Sequence, residues 1–185
     1  MNIFALHDNP TICAQMHNNR HCVKMILEYS QLLSTAHRVL DGKEVIEKSK
    51  TGRKQTKWVL TDERDVILYK NTHINHPSAI WVRQSDSNYK WLHNLLVELC
   101  KEYTFRYGRI HKCEYTGLVD ALKMVPNNVP RGEFTPVTPA MPSEYVIKGD
   151  FISSYRNYYI KAKQHLAIWE GKINSRMVPE WFSFV

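Results

Sequence analysis

The stretch Asn18–Lys43, NNRHCVKMILEYSQLLSTAHRVLDGK, decides how the chain is read. From Asn19 to Asp41 it runs without Gly or Pro, which predicts one long helix closed by Asp41-Gly42. On a 3.6-residue wheel Met25, Tyr29, Leu32, Leu33, Ala36 and Leu40 form an apolar arc that must face a core. Beside the arc runs a polar line, His17, His21, Lys24, Glu28, Gln31 and Thr35, each about one turn above the last. Val23 and Leu27 flank the line on its far side, so it does not read as an ordinary solvent face. A carboxylate, an amine and an imidazole at the edge of a core are a common way to build an active site. The plainer alternative is a solvated face with Lys24–Glu28 as a surface i,i+4 pair.

Working outward, Asp8, Asn9, Pro10 and Thr11 supply cap chemistry for a first helical turn. After the long helix, Glu44–Leu60 reads as a β-hairpin turning near Thr51-Gly52, and Asp65–Tyr69 as a further short strand. Tyr69–Pro77 is a loop with two histidines, followed by a short helix over Ser78–Gln84. Ser85 or Ser87 caps a longer helix, Asn88–Tyr107, which Gly108 stops. His111–Lys123 predicts one more helix, and Asp150 caps a last one over Phe151–Glu170. Between them Pro126–Pro142 holds five of the eight prolines and reads as an ordered wrapping loop. Pro179–Val185 is a hydrophobic tail expected to fold back. These elements amount to a mainly α, compact single-domain helical bundle of three long helices with a small β-hairpin appendage, spanning residues 1–185.

Composition is that of an ordinary globular chain, with no apolar run of membrane-span length and no signal-peptide pattern, so no membrane partner and a cytoplasmic location are expected. Cys13, Cys22, Cys100 and Cys113 share no metal or redox spacing and read as reduced thiols. A formal net charge of +7 favours an anionic partner. Lys43, Lys48, Lys50, Arg53, Lys54 and Lys57 outnumber Glu44 and Glu47, so residues 43–57 carry +4 of that total. This basic hairpin or loop at about 43–60 points to nucleic acid, through Lys50, Arg53, Lys54 and Lys57. In the last helix Arg156, Lys161 and Lys163 are interleaved with aromatics, a pairing of cation and ring used in nucleic-acid grooves.

His17 and His21 are spaced i,i+4, and His73-x-x-His76 lies in the loop, which raises a metal site. Lys24, one turn from His21, argues against it, and no metal or other cofactor is expected. The sequence carries no G-x-S-x-G and no Gly-rich phosphate loop. What remains is an amine beside a carboxylate. An amine can attack a sugar C1′ while a carboxylate moves the proton. Lys24 and Glu28 have that spacing, and the α-amine is a second candidate nucleophile.

These residues resemble the pyrimidine-dimer DNA glycosylases, the phage endonuclease V family. Asn19-Arg20-His21 through Glu28 to Gly42-Lys43 is similar to that family's catalytic helix, in which a histidine precedes the catalytic glutamate by seven residues. Tyr69-Lys70-Asn71, Asn75-His76-Pro77 and the following helix ending at Tyr107-Gly108 resemble its Lys-Asn-His-Pro segment and next helix. YRNYYIK, Tyr155–Lys161, resembles its aromatic-basic C-terminal stretch. The resemblance implies a compact, mostly helical fold and base-flipping action on DNA. It implies Glu28 as the catalytic carboxylate, His21 as a neighbour on the DNA side and His76 as the loop histidine, with Lys24 beside them. It also implies a nucleophilic α-amine exposed when the initiator Met is removed. Here residue 2 is Asn2, whose size leaves Met1 in place, so Lys24 is a replacement amine. The expected activity is glycosylase-like removal of a damaged or modified pyrimidine. Two alternatives stand beside it: a phage base- or nucleotide-modifying enzyme using the same pocket, and a non-catalytic DNA- or nucleotide-binding protein that counters host defence.

Overall fold

The computed structural model describes residues 1–48 and 51–183. Asn9 caps α1 (Pro10–Met16) by accepting the Thr11 and Ile12 N–H groups. The backbone then turns extended at His17, and Asn18 caps α2 (Asn19–Asp41) by accepting His21 N–H. The two are therefore separate helices. Along α2 the arc Met25, Tyr29, Leu32, Leu33 and Ala36 is buried, with Leu40 half-buried at its end. Gly42 ends the helix where the chain passes close to backbone: a Cβ there would lie 2.5 Å from Arg38 O.

The hairpin pairs β1 (Lys43–Lys48) with β2 (Lys54–Val59), antiparallel, from Lys43↔Val59 to Lys48↔Lys54. The strand expected over Asp65–Tyr69 is instead the short helix α3 (Arg64–Ile67). Asp62 accepts Arg64 N–H, and the Asp65 carboxylate accepts both Leu60 N–H and an Arg38 N–H. These bonds fold the segment back into a turn, overriding its β-propensity and leaving Val66 and Ile67 exposed.

Next come α4 (Pro77–Gln84), capped by His76, and α5 (Asp86–Tyr107), capped by Ser85. The helix expected over His111–Lys123 is split into α6 (Lys112–Tyr115) and α7 (Leu118–Ala121). Gly117 sits between them at φ +76°, a left-handed conformation that breaks a right-handed helix. The last helix, α8 (Phe151–Ala162), stops well short of Glu170. Beyond it the chain is drawn across the α1–α2 break, where Ile168 O accepts Asn19 N–H and Trp169 Nε1 donates to Met16 O. So two helices are long and the third has 12 residues.

The core lies where α2 packs on α5, with α1 and α4 set against them. Leu32, Leu33, Leu92, Leu95, Leu96 and Leu99 are fully buried there. The Pro-rich segment wraps this core as expected, with Val137 buried and the Asn127 and Asn128 N–H groups donating to Asp41. The tail folds back: Phe182 is buried with its ring 5.1 Å from that of Trp169. Phe184 and Val185 lie outside the described residues. All four cysteines are buried free thiols. Among the described residues no helix is long and apolar enough to cross a membrane.

Two buried arginines fasten the chain to α2. Arg106 donates to His17 O, Asn19 Oδ1 and Gln15 O and pairs with Glu102, fixing the α1–α2 break. Arg38 donates to Trp58 O, Asp65 O, Leu68 O and Tyr69 O and pairs with Asp65 at 2.5 Å, joining the base of the hairpin to the loop that follows.

Candidate active site

Asn2–Leu6 runs buried across the N-terminal half of α2 and, with Met1 half-buried ahead of it, brings the start of the chain to Glu28. Phe4 N–H donates to Tyr29 OH. Asn2 is held on three sides: its Oδ1 accepts Ile3 N–H and Tyr155 O–H, and its Nδ2 donates to Ala140 O. Thus α2, α8 and the Pro-rich wrap all fix its position. Asn2 N–H donates to Glu28 Oε2 at 3.2 Å, and the α-amine of Met1 lies 3.9 Å from the same oxygen. Lys24 Nζ lies 3.0 Å from the other, Oε1. The Glu28 side chain is 12 % exposed and that of Lys24 60 %, so the carboxylate lines the wall of a recess whose rim carries the lysine.

That recess is a cavity of about 210 Å³, bounded by Met1, Asn2, Lys24, Glu28, Tyr158 and Lys163. Lys163 Nζ sits over the Tyr158 ring, 4.8 Å from its centre. His21 forms the inner wall, stacked on Phe4 at 4.2 Å with Nδ1 2.5 Å from Tyr159 OH. Burial, reinforced by His17, Lys163 and Lys24, pushes the His21 pKa down to about 2. It is therefore a neutral hydrogen-bonding group at physiological pH, not a cation.

The polar line of the sequence divides in space. His21, Lys24 and Glu28 come together. His17 precedes α2 and is buried in a satisfied chain: Tyr29 OH bonds its Nε2 while its Nδ1 donates to Cys13 O. Burial lowers its pKa to about 4. Thr35 is bonded to the backbone of Thr72, fixing the histidine loop against α2. Val23 and Leu27, expected to shield the line, are 39 % and 40 % exposed, so this side of the site opens to solvent. The loop histidines flank it. His76 accepts Ser78 N–H as the cap of α4. Its pKa is lowered by burial and next by the positive α-amine, while Glu28 opposes the shift, which places it in the field of the site. His73 holds a left-handed backbone, φ 48°, and bonds the Thr72 hydroxyl. Among the described residues no three potential ligands form a group that could hold a metal ion.

The cationic residues expected at nucleic acid lie elsewhere. Lys54 and Arg53 are at the far end of the hairpin and Lys57 pairs with Glu47. Lys50 lies outside the described residues. Lys161 is exposed on α8. Arg156 donates to Leu6 O and lies over Trp181, lining a separate, larger cleft of about 660 Å³. That cleft has no paired carboxylate and amine, so size alone does not make it the chemical centre. Asn2 was not anticipated at the site, and the sequence marks Tyr158, Tyr159 and Lys163 only as part of the aromatic-basic stretch of the last helix, not as neighbours of Glu28. For Tyr159 and Lys163 the signal was the i,i+4 series Tyr155–Tyr159–Lys163, which marks the buried side of α8 and runs on to the residue that caps its end. Compared with protein-family models, curated proteins and solved structures, the chain matches none of them.

Proposed function

We propose that the protein removes a damaged or modified pyrimidine base from DNA, with Glu28 as its catalytic carboxylate. The observation that carries this reading is a largely buried carboxylate gripped between two amines, 3.9 Å from the α-amine of Met1 and 3.0 Å from Lys24 Nζ, in a recess open to solvent. The Met1 amine is held inside the cavity and is the nucleophile; Lys24 stands on the rim. In its unprotonated form the amine attacks C1′ with its lone pair as the glycosidic C1′–N bond breaks. The electron pair of that bond leaves with the base, which takes up a proton. Glu28 accepts the proton lost by the nitrogen and stabilises positive charge developing at C1′. The C1′–O4′ bond of the sugar then opens, its electron pair staying on O4′, which takes up the proton from Glu28, and the nitrogen lone pair forms the C1′=N bond; water hydrolyses this imine, which restores the amine.

A recess this small is below the range of about 300–1,000 Å³ typical of drug-sized ligands and suits one sugar or one pyrimidine ring. The target nucleotide would have to leave the stack to enter it. Tyr158, with Lys163 over its ring, gives a base a face to lie on. The test is a set of short duplexes, each with one damaged or modified pyrimidine, with released free base read by chromatography. Release from at least one duplex is expected. Binding to all of them with no base released would contradict the reading.

A further inference from the structure

The hairpin is built at odds with its own stability. A two-stranded sheet is marginal in water unless a further surface supports it, yet every residue of β1 is exposed and in β2 only Lys57 and Trp58 are partly covered. Its register places Lys48 directly opposite Lys54, and like charges facing each other across a pair are destabilising. Alternation puts Ile46 and Thr56 on the same face as this cationic pair, with Ile46 68 % exposed. Toward its tip that face therefore offers two cations and an exposed apolar side chain, while at its base Glu44 faces a half-buried Trp58. On the opposite face Lys57 is paired with Glu47.

The hairpin is also tied to the candidate active site. Trp58 N–H donates to Asn71 Oδ1, and Arg38 joins Trp58 O to Tyr69 O. From Asn71 the same loop passes Thr72, held by Thr35, to His76 in the field of Glu28. At 1.5 Å per residue, Gly42 lies about 21 Å along α2 from Glu28. A strand of this length reaches about 20 Å beyond its base. With base pairs about 3.4 Å apart, the base of the hairpin would meet a duplex roughly six pairs from the nucleotide at Glu28.

We propose that β1–β2 is a ribbon that enters a groove of double-stranded DNA, with Lys48 and Lys54 on phosphates and Ile46 against the groove wall. The partner rests on the DNA reading above, but none of the Glu28 chemistry is used. The fit is one of charge and width: a major groove about 12 Å wide admits a two-stranded ribbon.

The experiment is anisotropy of a short, undamaged, labelled duplex titrated with the full chain over a series of salt concentrations. Lys48→Ala/Lys54→Ala relieves a repulsion, so it is expected to fold, which a melting curve checks. Its slope of log K against log salt should be shallower by about 1.8, from about 0.9 per lost phosphate contact. Ile46→Ala should weaken binding about fivefold without changing the slope, as expected for part of the apolar area of an isoleucine. An unchanged slope in the folded double variant would overturn the proposal, as would equal affinity and slope for the single strand. Because undamaged DNA is used, this outcome is independent of base release. A shallower slope with no base released from any substrate sustains the ribbon and sinks the glycosylase reading. Base release with an unchanged slope does the reverse.

Discussion

Replacing Arg38 by methionine keeps an unbranched apolar stem and removes the five bonds through which Arg38 joins α2 to the hairpin base and the loop after it. The wild-type guanidinium, 0 % exposed, donates to four backbone carbonyls and pairs with Asp65. Breaking a buried ion pair from one side typically costs about 3–5 kcal/mol. Asp65 is not stranded, because it is 27 % exposed and keeps Lys70 at 3.2 Å and Leu60 N–H at 3.0 Å, which favours the lower end. The orphaned carbonyls add about 1 kcal/mol for each that water cannot reach. An overall loss of about 3–4 kcal/mol is expected, a large share of the roughly 5–15 kcal/mol that holds a domain together. In urea unfolding followed by circular dichroism, a slope near 2 kcal/mol per molar places the midpoint about 1.5–2 M below wild type. Arg38→Lys should recover little of this, since an ammonium has three donors and no planar fork. A loss under about 1 kcal/mol in the methionine variant would refute the reasoning, because the carbonyls would then be hydrating freely.

Glu28→Gln preserves an acceptor for Asn2 N–H but removes charge and basicity, so activity should fall about a hundredfold or more, with DNA affinity and melting temperature nearly unchanged. Full activity in the folded variant would end the catalytic assignment. His17, His21 and His37 are buried with pKa values lowered to about 4, 2 and 4, so below about 6.5 the unfolded chain binds more protons than the folded one. Stability present above that pH is then lost as pH falls, by about 1.4 kcal/mol per unit for each histidine, and a titration followed by circular dichroism should show unfolding before about pH 4. A native spectrum well below that would count against the buried neutral imidazoles. Gly42→Ala drives a Cβ to 2.5 Å from Arg38 O, and the melting temperature should drop by at least about 2–4 °C, corresponding to a kcal/mol or more in a chain of this length.

The helical half of the site was legible because it is local. His21, Lys24 and Glu28 lie three and four positions apart on one helix, and helical periodicity alone brings them together. The rest depends on contacts between residues far apart in sequence: Tyr159 with His21, 138 residues away, and Asn2 with Ala140. No periodicity records such pairings. The same cause explains the departures in the fold. Asp65 gives up a strand because Arg38, 27 residues earlier, takes its carboxylate. The last helix ends at Ala162 because Trp169 is needed across the α1–α2 break. The hairpin was legible in outline, but its facing lysines emerge only from the register.

Borohydride trapping on a duplex with a single abasic site tests the central claim most directly, since it reads the bond between amine and C1′. The Glu28 site predicts a covalent protein–DNA adduct that peptide mapping places on the α-amine of Met1, and that Glu28→Gln reduces about a hundredfold. Absence of an adduct from a protein that binds the same duplex, or an adduct confined to lysines remote from Glu28, would contradict it.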